Sequence, residues 1–288
     1  MKRDLDSPHT VAAPANVKKQ KGSDAVIVGK YTTTVEQADS VSALERGFAV
    51  LRCFTVDTPA LSHQEITRLT GLAKATITRI IQSLVKLGYL EISHADSKLR
   101  LAPELLRFSH VYLSNLDIRA VARPHMVDLA FQTRATVSLA TPNGDSLSVI
   151  ETCRSPLAVV SINVQLGYQF PILKTAIGRA YMAGLAPNEK AAILDRHHQS
   201  SDSTSLAEGL ETAQNEVAKY GFCVMQGEWR NGINAVAAPV RAGPGSHIFA
   251  INCAGPALDL PRQTLLKEIG PSLLAVVQKI EKSFGQSS

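Results

Sequence analysis

Between Ser62 and Leu101 the order of caps, apolar periods and breakers leaves the chain little freedom: helix, tight turn, second helix, short charged hairpin. Ser62 stands three residues before Glu65, a capping box that opens a helix. Ile66 and Leu69 follow on one face, and Gly71 closes the helix where left-handed backbone is favoured. Ala73, Ile77, Ile80, Ile81, Leu84 and Leu87 mark the buried stripe of the next helix, and Gly88 stops it. The outward face then carries Lys74, Ala75, Thr76, Thr78, Arg79 and Gln82. After Tyr89-Leu90 come a polar turn, Ser93 to Ser97, and Lys98-Leu99-Arg100-Leu101, whose period-two alternation puts both cations on one face. The layout predicts a winged helix-turn-helix with its second helix in a DNA major groove. Small residues let that helix seat deeply, Lys and Arg meet phosphates or guanine edges, and Gln pairs with adenine. Lys98 and Arg100 of the wing reach phosphates.

Charge agrees with that placement. The net charge of +5 divides as +1 over residues 1–39, +3 over 40–116 and +1 over 117–288. The excess is too small for a general polyanion coat, so selective contacts carry affinity with phosphate contacts assisting. The cysteines Cys53, Cys153, Cys223 and Cys253 are far apart and form no C-x-x-C, which argues against a disulfide framework or a zinc site and for buried, reduced thiols in the cytoplasm. His197-His198 is a weak metal candidate, because adjacent helical residues point in different directions. No cofactor is implied. The longest uncharged stretch, Ser155 to Leu173, contains Pro156, Gly167 and Pro171, so no membrane helix is expected, nor a signal peptide.

The chain divides into a flexible tail (1–39, with Lys18, Lys19 and Lys21), a DNA-binding domain (40–101), a linker helix (102–116) and a second domain (117–284). Ser40 to Thr55 reads as an amphipathic helix, with Val41, Leu44, Phe48, Leu51 and Phe54 packing beneath the helix-turn-helix. The linker helix opens on Pro103 and is apolar on more than one side (Leu105, Leu106, Phe108, Tyr112, Leu113, Leu116), so it needs a partner, in its own chain or a second subunit. Beyond Asp117 the pattern is mixed. It gives a helix over 119–133, a hairpin around Asn143-Gly144, and a strand over Pro156–Asn163. Helices follow over Thr175–Leu185 and Asn188–His197, then one opened by a Ser205–Glu208 capping box. Strands near 222–226, 233–240 and 247–254 precede a closing helix over 262–284. The fold class is α+β, with a mainly antiparallel sheet flanked by helices and room for a pocket.

Six segments carry a family likeness. Val41-Ser42-Ala43-Leu44-Glu45-Arg46-Gly47, Gly71-Leu72-Ala73-Lys74-Ala75-Thr76, Leu87-Gly88-Tyr89-Leu90, Thr175-Ala176-Ile177-Gly178-Arg179-Ala180, Ala237-Ala238-Pro239-Val240 and Gly255-Pro256 occur in the order and spacing of the IclR family of transcriptional regulators, which the chain resembles over nearly all of 40–284. The resemblance implies a GAF-like effector domain that binds a small organic acid, often aromatic or short-chain, and control of catabolic genes. It also implies a dimer through the DNA-binding domains, often a dimer of dimers, and hence a pseudo-palindromic operator. Its effector positions fall at the backbone of Ala176 and Ile177 and at Met225, Ala235, Asn252 and Ala254, of which only Asn252 is polar. An apolar body with one carboxylate, as in a benzoate or phenylpropanoid, suits that set better than a two-carbon oxoacid does. Trp229 and Arg154 are added as candidates for stacking on the ligand and pairing its carboxylate.

Two other functions compete with a ligand-responsive regulator. An enzyme acting on a small acid, with an appended DNA-binding domain, would use Cys153, Cys223 or Cys253 as nucleophile and His247 or His125 as base, but the spacing fits no nucleophile motif. A helix-turn-helix that only dimerises would be apolar where Lys74, Thr78, Arg79 and Gln82 lie.

Overall fold

The computed structural model describes residues 42–158, 162–196, 203–243 and 247–285, so the tail with Lys18, Lys19 and Lys21, and His197-His198, lie outside the described residues. Helix α1 (Ala43–Arg52) is capped by Ser42, whose side chain accepts the Glu45 N–H while Glu45 returns a bond to the Ser42 N–H. Ser62 and Glu65 repeat that capping box at α2 (His63–Thr70), and Gly71 ends α2 at φ +67°. The reciprocal bonds satisfy two backbone donors that would otherwise be orphaned. The Ser62 N–H holds the Glu65 carboxyl below the usual range. A lowered carboxyl favours the folded state above its unfolded pKa, and that contribution is lost as pH falls through the folded value. Ser62→Ala is expected to cost about 1 kcal/mol in a urea melt, and a melt unchanged from wild type would remove the cap from the stability account.

Helix α3 (Lys74–Lys86) buries Ile77, Ile81 and Leu84 against α1 and α2. Gly88 adopts φ +77° just after it, as an αL terminator should. Leu87, expected in the core, is exposed at that C-cap, and Ala73 sits exposed at the N-cap. The wing is a three-stranded antiparallel sheet in the order β1 (Ala60–Leu61), β3 (Leu99–Leu101), β2 (Leu90–Ile92). One expectation for α1 fails. Val50, Cys53 and Phe54 form its buried side, while Leu44 and Phe48 are 69 % and 49 % exposed. An amphipathic period reveals an apolar face, not what covers it. Leu106, Phe108, Val111 and Tyr112 of α4 (Glu104–Ser114) are exposed as well.

Helix α5 (Asp117–Thr133) leads into a six-stranded antiparallel sheet of order β6-β5-β4-β9-β8-β7: β6 (Gln169–Pro171), β5 (Ser146–Arg154), β4 (Thr136–Asn143), β9 (His247–Pro256), β8 (Ile233–Ala242) and β7 (Cys223–Gln226). The β4–β5 hairpin turns on Gly144-Asp145, with Gly144 at φ +61° supplying the backbone conformation the tight loop needs. Helix α6 (Ala176–Gly184) and α8 (Ser203–Tyr220) cover one face, with α7 (Pro187–Asp195) following α6. On the other face lie α5 and the closing segment, in which α9 (Arg262–Thr264) passes through a π turn (Leu265–Ile269) into α10 (Gly270–Gly285). Each face has its own core: Leu139, Ile251, Leu265 and Leu273 on the α5/α10 side, and Leu147, Phe170, Ile177 and Met182 on the α6 side.

Two local expectations are corrected. There is no strand at 156–158 or 162–163. The Ser155 hydroxyl accepts the Leu157 N–H and the Ser155 carbonyl accepts the Ala158 N–H, so a turn replaces the ladder, and β6 is the edge strand instead. Helix α8 is already under way at Ser203, which places Ser205 and Glu208 inside it rather than at its cap.

Candidate functional site

Lys74, Ala75, Arg79 and Gln82 are exposed together along α3. Its N-cap makes no side-chain bond, so no capping side chain covers the first-turn N–H groups, and a helix end of that kind suits a phosphate oxygen. Thr76 and Thr78 are half-buried. The Thr78 hydroxyl lies 2.9 Å from the Lys74 carbonyl and 2.9 Å from His63 Nε2, so it fastens α3 to α2. On the wing, Asp96 accepts the Lys98 N–H at 3.1 Å and pairs with Arg100 at 2.8 Å. Those contacts hold the Asp96 carboxyl below its ordinary value and shape the turn. They also engage Arg100, which therefore presents fewer donors outward than the alternation of Lys98 and Arg100 predicted.

The second domain carries a partly open cavity on the α6 face of the sheet, about 440 Å³ with the solvent at its mouth included. Of the expected effector residues, Ala176, Met225, Ala235, Asn252, Ala254 and Trp229 line it. They converge because β7, β8 and β9 are paired in register: Met225 stands opposite Ala235, and Ala235 opposite Ala254. Thr175 caps α6 by accepting the Gly178 N–H at 3.2 Å, and its carbonyl accepts the Arg179 N–H at 2.9 Å. That leaves the N–H groups of Ala176 and Ile177 without an acceptor among the described residues. Gly178 lets this end approach the chain before it, since a Cβ there would stand 2.1 Å from the Ile172 carbonyl oxygen.

Two of the expected residues are not among those lining the cavity, and for Ile177 the expectation concerned its backbone alone. The Ile177 side chain is fully buried in the core, so only its backbone is available to the cavity. Arg154 is exposed and does not line the cavity: its guanidinium donates to Asn163 Oδ1 at 3.1 Å and to the Val164 carbonyl at 2.8 Å. It thereby braces the segment whose Ile162 and Val164 wall the cavity. Such a pairing between residues 10 apart has no local sequence signal.

Sequence reasoning missed several lining residues. Thr136 and Ser138 on β4, Thr175, Phe170 and Ile233 all reach the cavity, making its wall more polar than Asn252 alone suggested. Tyr168, Phe170 and Trp229 form an edge-to-face cluster with centroids 4.9 to 6.3 Å apart, and Arg230 lies over the Trp229 ring at 4.4 Å while donating to the Tyr168 hydroxyl. Arg179, buried in α6, anchors the β7–β8 loop through Glu228 at 2.7 Å and holds the Leu173 carbonyl at 3.0 Å. Its guanidinium occupies the space a side chain at Gly209 would need.

All four thiols are buried, and burial pushes Cys53 up to about 11 and Cys223 and Cys253 to about 12; Cys153 is raised by burial and by Glu151. Protonated thiols at neutral pH are poor nucleophiles. Among the described residues no group of three His, Cys, Asp or Glu side chains is placed to hold a metal, and no helix is long and apolar enough to cross a membrane.

Residues 110–282 match the family profile described as "Bacterial transcriptional regulator IclR C-terminal", and residues 43–92 match the "IclR helix-turn-helix domain". The chain is 29 % identical over 244 residues to the HTH-type transcriptional regulator TsaQ1/TsaQ2 of Comamonas testosteroni, covering 84 % of this chain and 87 % of that protein. It is 25 % identical over 252 residues to the p-hydroxybenzoate hydroxylase transcriptional activator of Acinetobacter baylyi, covering 83 % and 90 %. The crystal structure of an IclR family transcriptional regulator from Brucella abortus superposes with a TM-score of 0.76 at 35 % identity, covering 86 % of this chain and 95 % of that one.

Proposed function

We propose that this chain, which belongs to the IclR family of bacterial transcriptional regulators, is a cytoplasmic sensor of an aromatic carboxylate, read out as a change in operator binding. Its DNA-binding helix-turn-helix and its standing as a regulator rather than an enzyme follow from the family. The ligand class is the finer reading. One observation carries it: the cavity sets the unspent N–H groups of a helix N-terminus beside a wall of Phe170, Trp229, Ile233 and Met225. A helix N-terminus favours a carboxylate through free N–H groups and the helix dipole. The remaining wall favours a flat apolar body. Arg154, spent on the loop, leaves that helix end as the carboxylate seat.

The exposed faces of α1 and α4 are read as the dimer surface. Two copies related by two-fold symmetry would then present their α3 helices to the halves of a pseudo-palindromic site, with Lys74, Ala75, Thr76, Arg79 and Gln82 facing bases and phosphates and Lys98 following the backbone.

Trp229 is the protein's only tryptophan and lines the cavity, so its emission reports that site alone. Titration with a panel of benzoic, cinnamic and short-chain acids is expected to give saturable quenching by at least one aromatic acid, with little response to the short-chain ones. Unchanged emission, and no heat by calorimetry, with every acid up to millimolar concentration would overturn the effector reading.

A further inference from the structure

Two buried oxygens of residues lining the cavity have no hydrogen-bond partner among the described residues: Thr136 Oγ1 and Asn252 Oδ1, on residues 3 % and 5 % exposed. They belong to adjacent strands. Asn252 pairs with Ser138, two residues along from Thr136, and Thr136 pairs with Ala254, two along from Asn252, so the two side chains share the cavity face of the sheet. Ser138, between them in sequence position, is in contact with the Thr152 hydroxyl at 3.5 Å. Buried polar groups without partners are rare in folded proteins and costly when they occur. Here both belong to residues that line a cavity, where a ligand can supply what is missing.

The chemistry of the pair narrows what that ligand carries. An amide oxygen needs a donor. A carboxylate has none at neutral pH, so it cannot satisfy Asn252 Oδ1, and its natural seat is the helix end at Ala176. A hydroxyl on the threonine both donates and accepts. A ligand hydroxyl matches the set, donating to Asn252 Oδ1 while accepting from Thr136 Oγ1. A methyl or halogen of the same size leaves both oxygens orphaned.

We infer that Thr136 and Asn252 form a reading pair for a hydroxyl, and that the effector is an aromatic acid hydroxylated on its ring rather than a plain or alkylated one. The inference rests on the cavity being the effector site. A pocket that spends buried polar groups on a hydroxyl discriminates against the analogue lacking it far more sharply than an apolar pocket discriminates by a methylene.

The test compares twins: each monohydroxybenzoate with the toluate carrying a methyl at the same position, together with benzoate, titrated into the wild-type full-length protein, Thr136→Val and Asn252→Leu. At least one hydroxy acid is expected to bind at least about ten-fold more tightly than its methyl twin, and each substitution should shrink that ratio toward one while leaving the toluate bound as well or better. Methyl twins that match or exceed every hydroxy acid in the wild-type protein overturn the inference and leave the effector reading standing. A ratio untouched by both substitutions also overturns it. So does an equal loss for all acids in Asn252→Leu, which would make the pair the carboxylate seat. If no aromatic acid binds, the effector reading and the inference fall together. The wild-type comparison needs no variant to fold.

Discussion

Arg79→Ala is expected to weaken operator binding by about thirty-fold or more, with thermal stability and acid binding unchanged. Arg79 lies on the exposed face of α3, and no ion pair or side-chain hydrogen bond holds its guanidinium among the described residues. Its neighbour Ser83 bonds only the Arg79 carbonyl, so removing the side chain disturbs no contact of the fold. A bidentate arginine–guanine contact contributes about 1–3 kcal/mol of discrimination. The proposed two-fold symmetric dimer would use it twice, so the expected loss on a full operator is about 2–6 kcal/mol. Footprinting on the protein's own promoter, with an unrelated duplex as control, separates base reading from phosphate contact. Arg79→Ala should collapse the gap between the two DNAs, whereas Lys98→Ala should weaken both alike and flatten the salt dependence. Thr78→Val should act differently again, because its hydroxyl joins α3 to α2, and is read as a loss of stability. Arg79→Ala protein that footprints like wild type would take Arg79 out of the interface.

The two halves of the molecule were legible to different degrees, for a physical reason. The DNA reader is built from local signals. Ser62, Glu65 and Gly71 act within one helix, and the stripe Ile77, Ile81 and Leu84 follows from helical period alone. The cavity is not local. Thr136 looks like any alternating strand residue until β4 is placed beside β9, more than a hundred residues later, and only that register puts its side chain on the same cavity face as Asn252. Arg154 shows the converse: a cation near a predicted pocket is a fair carboxylate partner until a loop carbonyl is found to hold it. Leu44 and Phe48 declare an apolar face from sequence, but what covers that face lies outside one chain's pattern.

Glu151→Ala is expected to destabilise the protein by about 3 kcal/mol, the range for stranding a partner of a buried ion pair. Glu151 is 3 % exposed on β5 and receives Arg119 at 3.0 Å and Arg123 at 2.7 Å from α5. Arg123 is largely solvated and regains water when the carboxylate is lost. Arg119 cannot do so as fully, because it also donates to the Leu113 carbonyl at the end of α4, and its Nε is buried without a partner. The side chain thus ties the linker helix to the sheet. On the other side of that sheet the next residue, Thr152, touches Ser138 of the cavity wall at 3.5 Å, because neighbouring strand residues face opposite ways. A ligand that shifts β4 and β5 is therefore expected to pull on α4 through Glu151 and Arg119. Replacing both charges, as Glu151→Leu with Arg119→Met, should restore stability to within about 1–2 kcal/mol of wild type, since a buried pair exchanged for apolar volume is often neutral. It should also keep acid binding and operator binding while reducing the change in operator affinity that the acid produces. Calorimetric melts and operator titrations with and without acid measure both quantities on one preparation. A double variant that is stable yet responds to acid like wild type would reduce the Arg119–Glu151 pair to a packing element with no part in communication between the two sites.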